Sequence, residues 1–116
     1  MIIRHQWTGG RYGPRALAHR RTCDGIRFDS IAEMNRYQEL KMLQDAGQIT
    51  VFLTQNPVFR FPGGGRYTAD FLIFWADGRV TVEDVKGRFR TERYRSAKRQ
   101  VEAMYAPITI TEVESR

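Results

Sequence analysis

The chain has one cysteine, two histidines and no apolar run approaching the ~20 residues that a membrane-spanning helix needs. Cys23 alone cannot form an internal disulfide, which fits a reducing cytosol. His5, His19 and Cys23 are too few and wrongly spaced for a structural zinc site. No hydrophobic stretch near the start marks a secretory leader, and no Ser, His and Asp arrangement supports hydrolysis through a covalent enzyme. The glycine-rich pieces GRYGPR and PGGGR lack the spacing and the Lys-Ser/Thr of a phosphate-cradling loop and read as hinges. The expectation is a protein outside the membrane with no small-molecule cofactor.

What is present is positive charge. Nineteen Lys and Arg against thirteen Asp and Glu give a net charge of +6, and the excess is clustered. Arg4, Arg11, Arg15, Arg20, Arg21 and Arg27 face only Asp24 in the first 28 residues. Lys86, Arg88, Arg90, Arg93, Arg95, Lys98 and Arg99 face only Glu92 between 86 and 99. Two basic segments in one small domain point to a polyanion partner. Arginine dominates them, with Tyr12, Phe89 and Tyr94 interleaved, and guanidinium forks suit phosphate while rings stack on bases. The candidate nucleic-acid contacts are Arg11, Arg15, Arg20, Arg21, Arg88, Arg90, Arg93, Arg95, Lys98 and Arg99.

At 116 residues the chain is one domain, and 41% apolar against 28% charged residues excludes a wholly disordered one. Residues 1–23, rich in glycine and arginine around Pro14, read as a basic flexible arm. Ser30 followed by Glu33 is a capping-box pattern, and Gly47 is placed to end a helix over 30–46. TVFLTQ and VFRF then read as β-structure broken at Asn56-Pro57, and YTADFLIFW as a strand returning through Ala76-Asp77-Gly78 into RVTVEDVK. A helix over 91–105 follows with Ala97, Val101 and Met104 as its apolar side, and ITITEV closes the chain as a strand. The order is arm, α, β, β, β, α, β.

VEDVKG places three charged residues in what reads as a buried strand. Alternation puts Asp84 and Lys86 on one face with Val80 and Val82, and Glu83 on the other with Thr81 and Val85. The hairpin admits two registers. A two-residue loop, Asp77-Gly78, sets Asp70 opposite Val85; a three-residue loop closed by Gly78 in the left-handed region sets Asp70 directly opposite Asp84. In the second register Leu72, Phe74, Val80 and Val82 form an apolar half that runs into a polar end of Asp70, Asp84 and Lys86. Directly opposed carboxylates have Cβ atoms about 4.5–5.5 Å apart and repel. A divalent cation among hard oxygen ligands compensates for this; the competing reading is an ordinary surface ion-pair cluster. Glu33, four residues before Tyr37 and seven before Leu40, lies on the same helical stripe as both, where a carboxylate can reach the sheet.

An acidic helix residue, a strand Asp, a hairpin and D-x-K, in the order α-β-β-β-α-β, resemble the PD-(D/E)xK nuclease superfamily. More narrowly, FDSIAEMNRYQELKMLQDAGQI, LTQNPVF, YTADF and VEDVKG resemble a family of small phage-encoded endonuclease-like proteins catalogued as a domain of unknown function. The resemblance spans about residues 24–113, and Ala69 stands where the superfamily's name has Pro. It implies an α/β fold of restriction-endonuclease-like αβββαβ type over residues 24–116, with a mixed central sheet flanked by helices. It implies Asp70 and Asp84 as metal ligands together with the Val85 carbonyl and Glu33, Lys86 as the catalytic lysine, Gln55 beside them, and Mg²⁺ or Mn²⁺ as cofactor.

The expected function is a metal-dependent endonuclease hydrolysing DNA. Holliday-junction resolvases in the same superfamily extend this by analogy to branched substrates and a homodimer, acting in the cytoplasm of a bacterial host of phage or prophage. The competing class is a non-catalytic nucleic-acid-binding phage accessory protein or inhibitor whose acid cluster is structural.

Overall fold

The computed structural model describes residues 15–87 and 89–114. Local chemistry sets the first helix. Ser30 is extended, its Oγ accepts the Glu33 N–H at 3.1 Å, and α1 runs Ile31–Asp45 until Gly47 turns left-handed at φ +81°. Before it, β1 (Thr22–Cys23) and β2 (Ile26–Arg27) form a tight hairpin around Asp24-Gly25, both at positive φ. A 3-10 turn, Ala18–Arg21, precedes that hairpin. Residues 18–23, expected in a flexible arm, are therefore folded onto the domain. Tyr37 of α1 ties the hairpin down by donating to Asp24 at 2.8 Å, and burial with that bond pushes its hydroxyl up to about 12. The arm residues 1–14 lie outside the described residues.

β3 (Ile49–Thr54), β6 (Phe71–Trp75), β7 (Val80–Lys86) and β8 (Ile110–Glu114) make the central sheet in that spatial order. β7 pairs antiparallel with β6 and parallel with β8, so the sheet is mixed. The parallel step is made through α2 (Glu92–Met104), whose N-cap Thr91 accepts the Tyr94 N–H. The fold is a mixed α/β domain with a helix on each sheet face. Phe28, Tyr37, Leu40, Ile49, Phe71, Ile73 and Val85 pack on the α1 side; Phe59, Tyr67, Ala69, Val82, Tyr94, Val101 and Ile110 pack on the α2 side.

Two expectations need correction. The stretch YTADFLIFW is not one strand: β5 (Arg66–Thr68) pairs with β4 (Val58–Arg60) in a separate ribbon, and the chain enters the central sheet only after Ala69-Asp70. The Ala69 N–H bonds the Pro57 carbonyl, continuing the ribbon's register by one residue, whereas the Asp70 N–H already bonds the Glu83 carbonyl of β7, so the chain changes partner between these two residues. Likewise Met104 is 46% exposed, and the buried side of α2 is made by Tyr94 and Val101 with Ala97 half-buried between them. Among the described residues no helix is long and apolar enough to cross a membrane.

Candidate functional site

The hairpin register places the acids. Phe71 opposes Glu83, Leu72 opposes Val82 and Phe74 opposes Val80, which is the three-residue-loop register, with Gly78 at φ +94° and the Trp75 N–H bonded to the Arg79 carbonyl. Continued by one residue, it sets Asp70 against Asp84. The predicted apolar half is the less buried one: Phe74 and Val80 are exposed, whereas the polar end is deep inside. α2 covers the β7–β8 side of this face, and the hairpin tip extends past it.

At that polar end each acid is fixed by the other's strand. The Asp70 N–H donates to Asp84 Oδ1 at 3.0 Å and also to the Glu83 carbonyl at 3.1 Å, while Asp70 Oδ2 accepts the Val85 N–H at 2.8 Å. A side chain thus takes up a backbone donor where the ladder opens. Asp70, Asp84 and Lys86 are 2%, 0% and 5% exposed, which rules out a surface ion-pair cluster. Burial pushes both carboxyls above their ordinary range, against the opposing effect of the Lys86 charge.

Glu33 approaches from α1. Its side chain is fully buried and its Oε2 accepts Gln55 Nε2 at 3.0 Å. Gln55 sits in the left-handed region at φ +55°, an uncommon conformation for a side-chain-bearing residue, and its N–H donates to the Asp70 carbonyl at 2.8 Å. Gln55 therefore links the helix acid to the strand acid. Even so, no three His, Cys, Asp or Glu side chains form a metal-holding group among the described residues. The structure brings together Asp70, Asp84 and the Val85 backbone, with Glu33 linked to them through Gln55.

Glu83 faces the other way, as alternation requires. It forms a bidentate pair with Arg36 of α1, at 2.9 Å and 2.8 Å, which pins helix to sheet. Arg36 had no signal in the sequence, because its partner is 47 residues away. The α2 side holds two more residues that the sequence reading missed. Lys86 Nζ stands 3.9 Å from the Tyr94 ring centroid, and Tyr94 donates its hydroxyl to Glu112 at 2.9 Å. Burial, followed by the Glu112 bond, drives that hydroxyl strongly upward. Tyr94 is buried and does not offer its ring to bases. Glu112, the register partner of Asp84 on β8, also accepts Arg90 at 3.1 Å.

The basic candidates divide. Arg21 is buried and donates to the Ala16 and Phe28 carbonyls, a role in the fold that the charge run concealed. Arg90 and Lys98 face Glu112, and Arg99 pairs with Glu92. Arg15, Arg20, Arg93 and Arg95 are exposed, and Arg93 and Arg95 form no ion pair with another described residue. Arg11 and Arg88 lie outside the described residues.

Residues 15–115 match the model of a family described as protein of unknown function (DUF1064), and the chain belongs to that family. No curated protein and no solved structure matches.

Proposed function

We propose that the protein is a metal-dependent endonuclease that hydrolyses DNA phosphodiester bonds on a restriction-endonuclease-like core of the PD-(D/E)xK kind. One observation carries this reading: two mutually clasped carboxylates and an ammonium are buried together where the ladder between β6 and β7 opens. Burying an ionised carboxylate costs several kcal/mol even where hydrogen bonds and a neighbouring charge offset part of it, a penalty that a folding role alone does not explain, since apolar residues would pack there at no such expense.

The donor set suits Mg²⁺ or Mn²⁺. Mg²⁺ is commonly held by one or two carboxylates, keeping several waters and taking substrate phosphate oxygens. Asp70 and Asp84 would hold it, with the Val85 carbonyl as a further oxygen. When bound, the cation supplies Lewis acidity toward the scissile phosphate and lowers the pKa of water. Lys86 presents a fixed positive charge to the negative charge that builds on phosphate during attack. Glu33, held by Gln55, is the helix acid beside the pair. Arg93 and Arg95, exposed on the first turn of α2, hold the phosphate backbone, which orients the nucleic acid without selecting sequence. The proposed substrate class is branched DNA, cut on two strands by a homodimer.

A second reading, a nucleic-acid-binding accessory protein without catalysis, draws on the lack of any three-residue acid group among the described residues. Labelled linear, nicked, flap and four-way-junction DNAs incubated with Mg²⁺, Mn²⁺ or chelator separate the two. Metal-dependent cutting is the expected result; binding of all four without cutting of any supports the second reading.

A further inference from the structure

Lysine carries a compact charge on a flexible stem, so a site that uses one has to hold it. Lys86 is 5% exposed, and its Nζ lies over the face of Tyr94, 3.9 Å from the ring centroid. That face is electron-rich and attracts an ammonium, most strongly when water is excluded. The ring is itself constrained at both ends. Its hydroxyl donates to Glu112 Oε2 at 2.9 Å, and Glu112 is anchored in turn by Arg90 at 3.1 Å and Lys98 at 3.7 Å. Tyr67 packs beside it with ring centroids 6.1 Å apart. A leucine there would be apolar but smaller, and would offer neither a π face to the cation nor a hydroxyl to Glu112.

We propose that Tyr94 is the positioning residue for Lys86: its ring face sets where the ammonium stands beside Asp84, and its hydroxyl, tied to Glu112, sets the ring. The consequence for catalysis rests on the nuclease reading, whereas the placement of the ammonium is a property of the free protein and is testable apart from it. Tyr94 touches no reacting atom: its ring acts on Lys86, and its hydroxyl acts on Glu112 and so on Arg90 and Lys98, so draining the ring face lowers turnover without weakening substrate binding.

The test uses the full chain with Tyr94→Leu, Tyr94→Phe, and phenylalanine of increasing ring fluorination at position 94, which keeps the shape and drains the π face. In the metal-free wild type, ring current places the NMR signals of the Lys86 ε-methylene upfield of those of Lys41 and Lys98. Tyr94→Leu loses that shift and Tyr94→Phe keeps most of it. On DNA cut in Mg²⁺, Tyr94→Leu lowers kcat about thirtyfold, the size of a desolvated cation–π contact; Tyr94→Phe lies between, and along the fluorinated series kcat falls stepwise with KM unchanged. If Tyr94→Leu does not fold, the fluorinated series decides, because a ring that serves packing alone tolerates fluorine. Lys86 signals that coincide with those of the other lysines, or a kcat indifferent to fluorination, overturn the proposal. A wild type that cuts no DNA removes the nuclease reading, and the NMR comparison then decides the role of Tyr94 by itself.

Discussion

Asp70 and Asp84 hold one another through backbone: the Asp70 N–H donates to the Asp84 carboxylate at 3.0 Å, and the Asp70 carboxylate accepts the N–H of Val85 at 2.8 Å. The geometry is built at the expense of stability, since burial raises both carboxyls. A carboxyl raised on folding is ionised in the unfolded chain first. As pH climbs from the unfolded value of ~3.9 toward and through the folded one, stability declines. Asp84→Asn keeps an oxygen for the Asp70 N–H and removes the charge. At pH 7 in chelator it should raise Tm by roughly 4 °C or more, as ~1 kcal/mol does in a domain of this size. On the proposed reading Mg²⁺ should raise the Tm of the wild type, and Asp84→Asn should abolish that rise. Scanning fluorimetry checks both, and an Asp84→Asn protein less stable than wild type in chelator contradicts the account.

Arg36 and Glu83 are a different kind of buried charge. Glu83 is 4% exposed and Arg36 supplies both of its hydrogen bonds from α1. Arg36→Ala leaves that carboxylate buried and uncompensated, for a loss of about 3–5 kcal/mol by urea unfolding. The double variant Arg36→Met, Glu83→Leu should regain most of it, because the pair's own desolvation disappears with it. Equal instability of the single and double variants would mean that the ion pair is not the relevant interaction.

Glu112 gives a pH dependence of opposite sign. Burial pushes its carboxyl up, but the hydrogen bonds from Tyr94 and Arg90 and the charges of Lys98 and Arg90 outweigh burial, and the net shift is downward. The stability it contributes is present above its unfolded value of ~4.3 and is lost as pH falls through the lower folded value. Between pH 6 and pH 3 the urea midpoint of Glu112→Gln should therefore fall less than that of the wild type. A parallel fall in the two proteins would remove Glu112 from this role.

Much of this was legible in the residues and some was not. Ser30 and Gly47 marked α1 to within a residue, because caps are local chemistry. The two hairpin registers could not be separated in the sequence, since both satisfy alternation. The Trp75 and Arg79 backbone bond around Gly78 decides between them. The break at Ala69-Asp70 was hidden because the β-pattern runs straight through it, while the backbone changes partner there, from Pro57 at Ala69 to Glu83 at Asp70. Arg21 resembled a solvated charge because nothing nearby in sequence shows that the Phe28 carbonyl will face it. Tyr94 was within reach: it stands three and seven residues before Ala97 and Val101 on the buried stripe. Glu112 was not, because its place beside Asp84 follows from the parallel pairing of β7 with β8.

The exposed arginines at the start of α2 make a prediction about salt. On the proposed reading, Arg93→Ala with Arg95→Ala removes two phosphate contacts while leaving the acid pair intact. The slope of log binding constant against log salt, measured by titration in chelator, should become shallower by about 1.8 for duplex DNA. An unchanged slope would place the DNA elsewhere on the protein.

The claim that the buried acids and Lys86 make a nuclease is tested most directly by cleavage of labelled DNA in Mg²⁺ by wild type, Asp84→Ala and Lys86→Ala, with binding measured on the same preparations. The account predicts cutting by the wild type alone and comparable binding by all three. Variants that cut as fast as the wild type would contradict it.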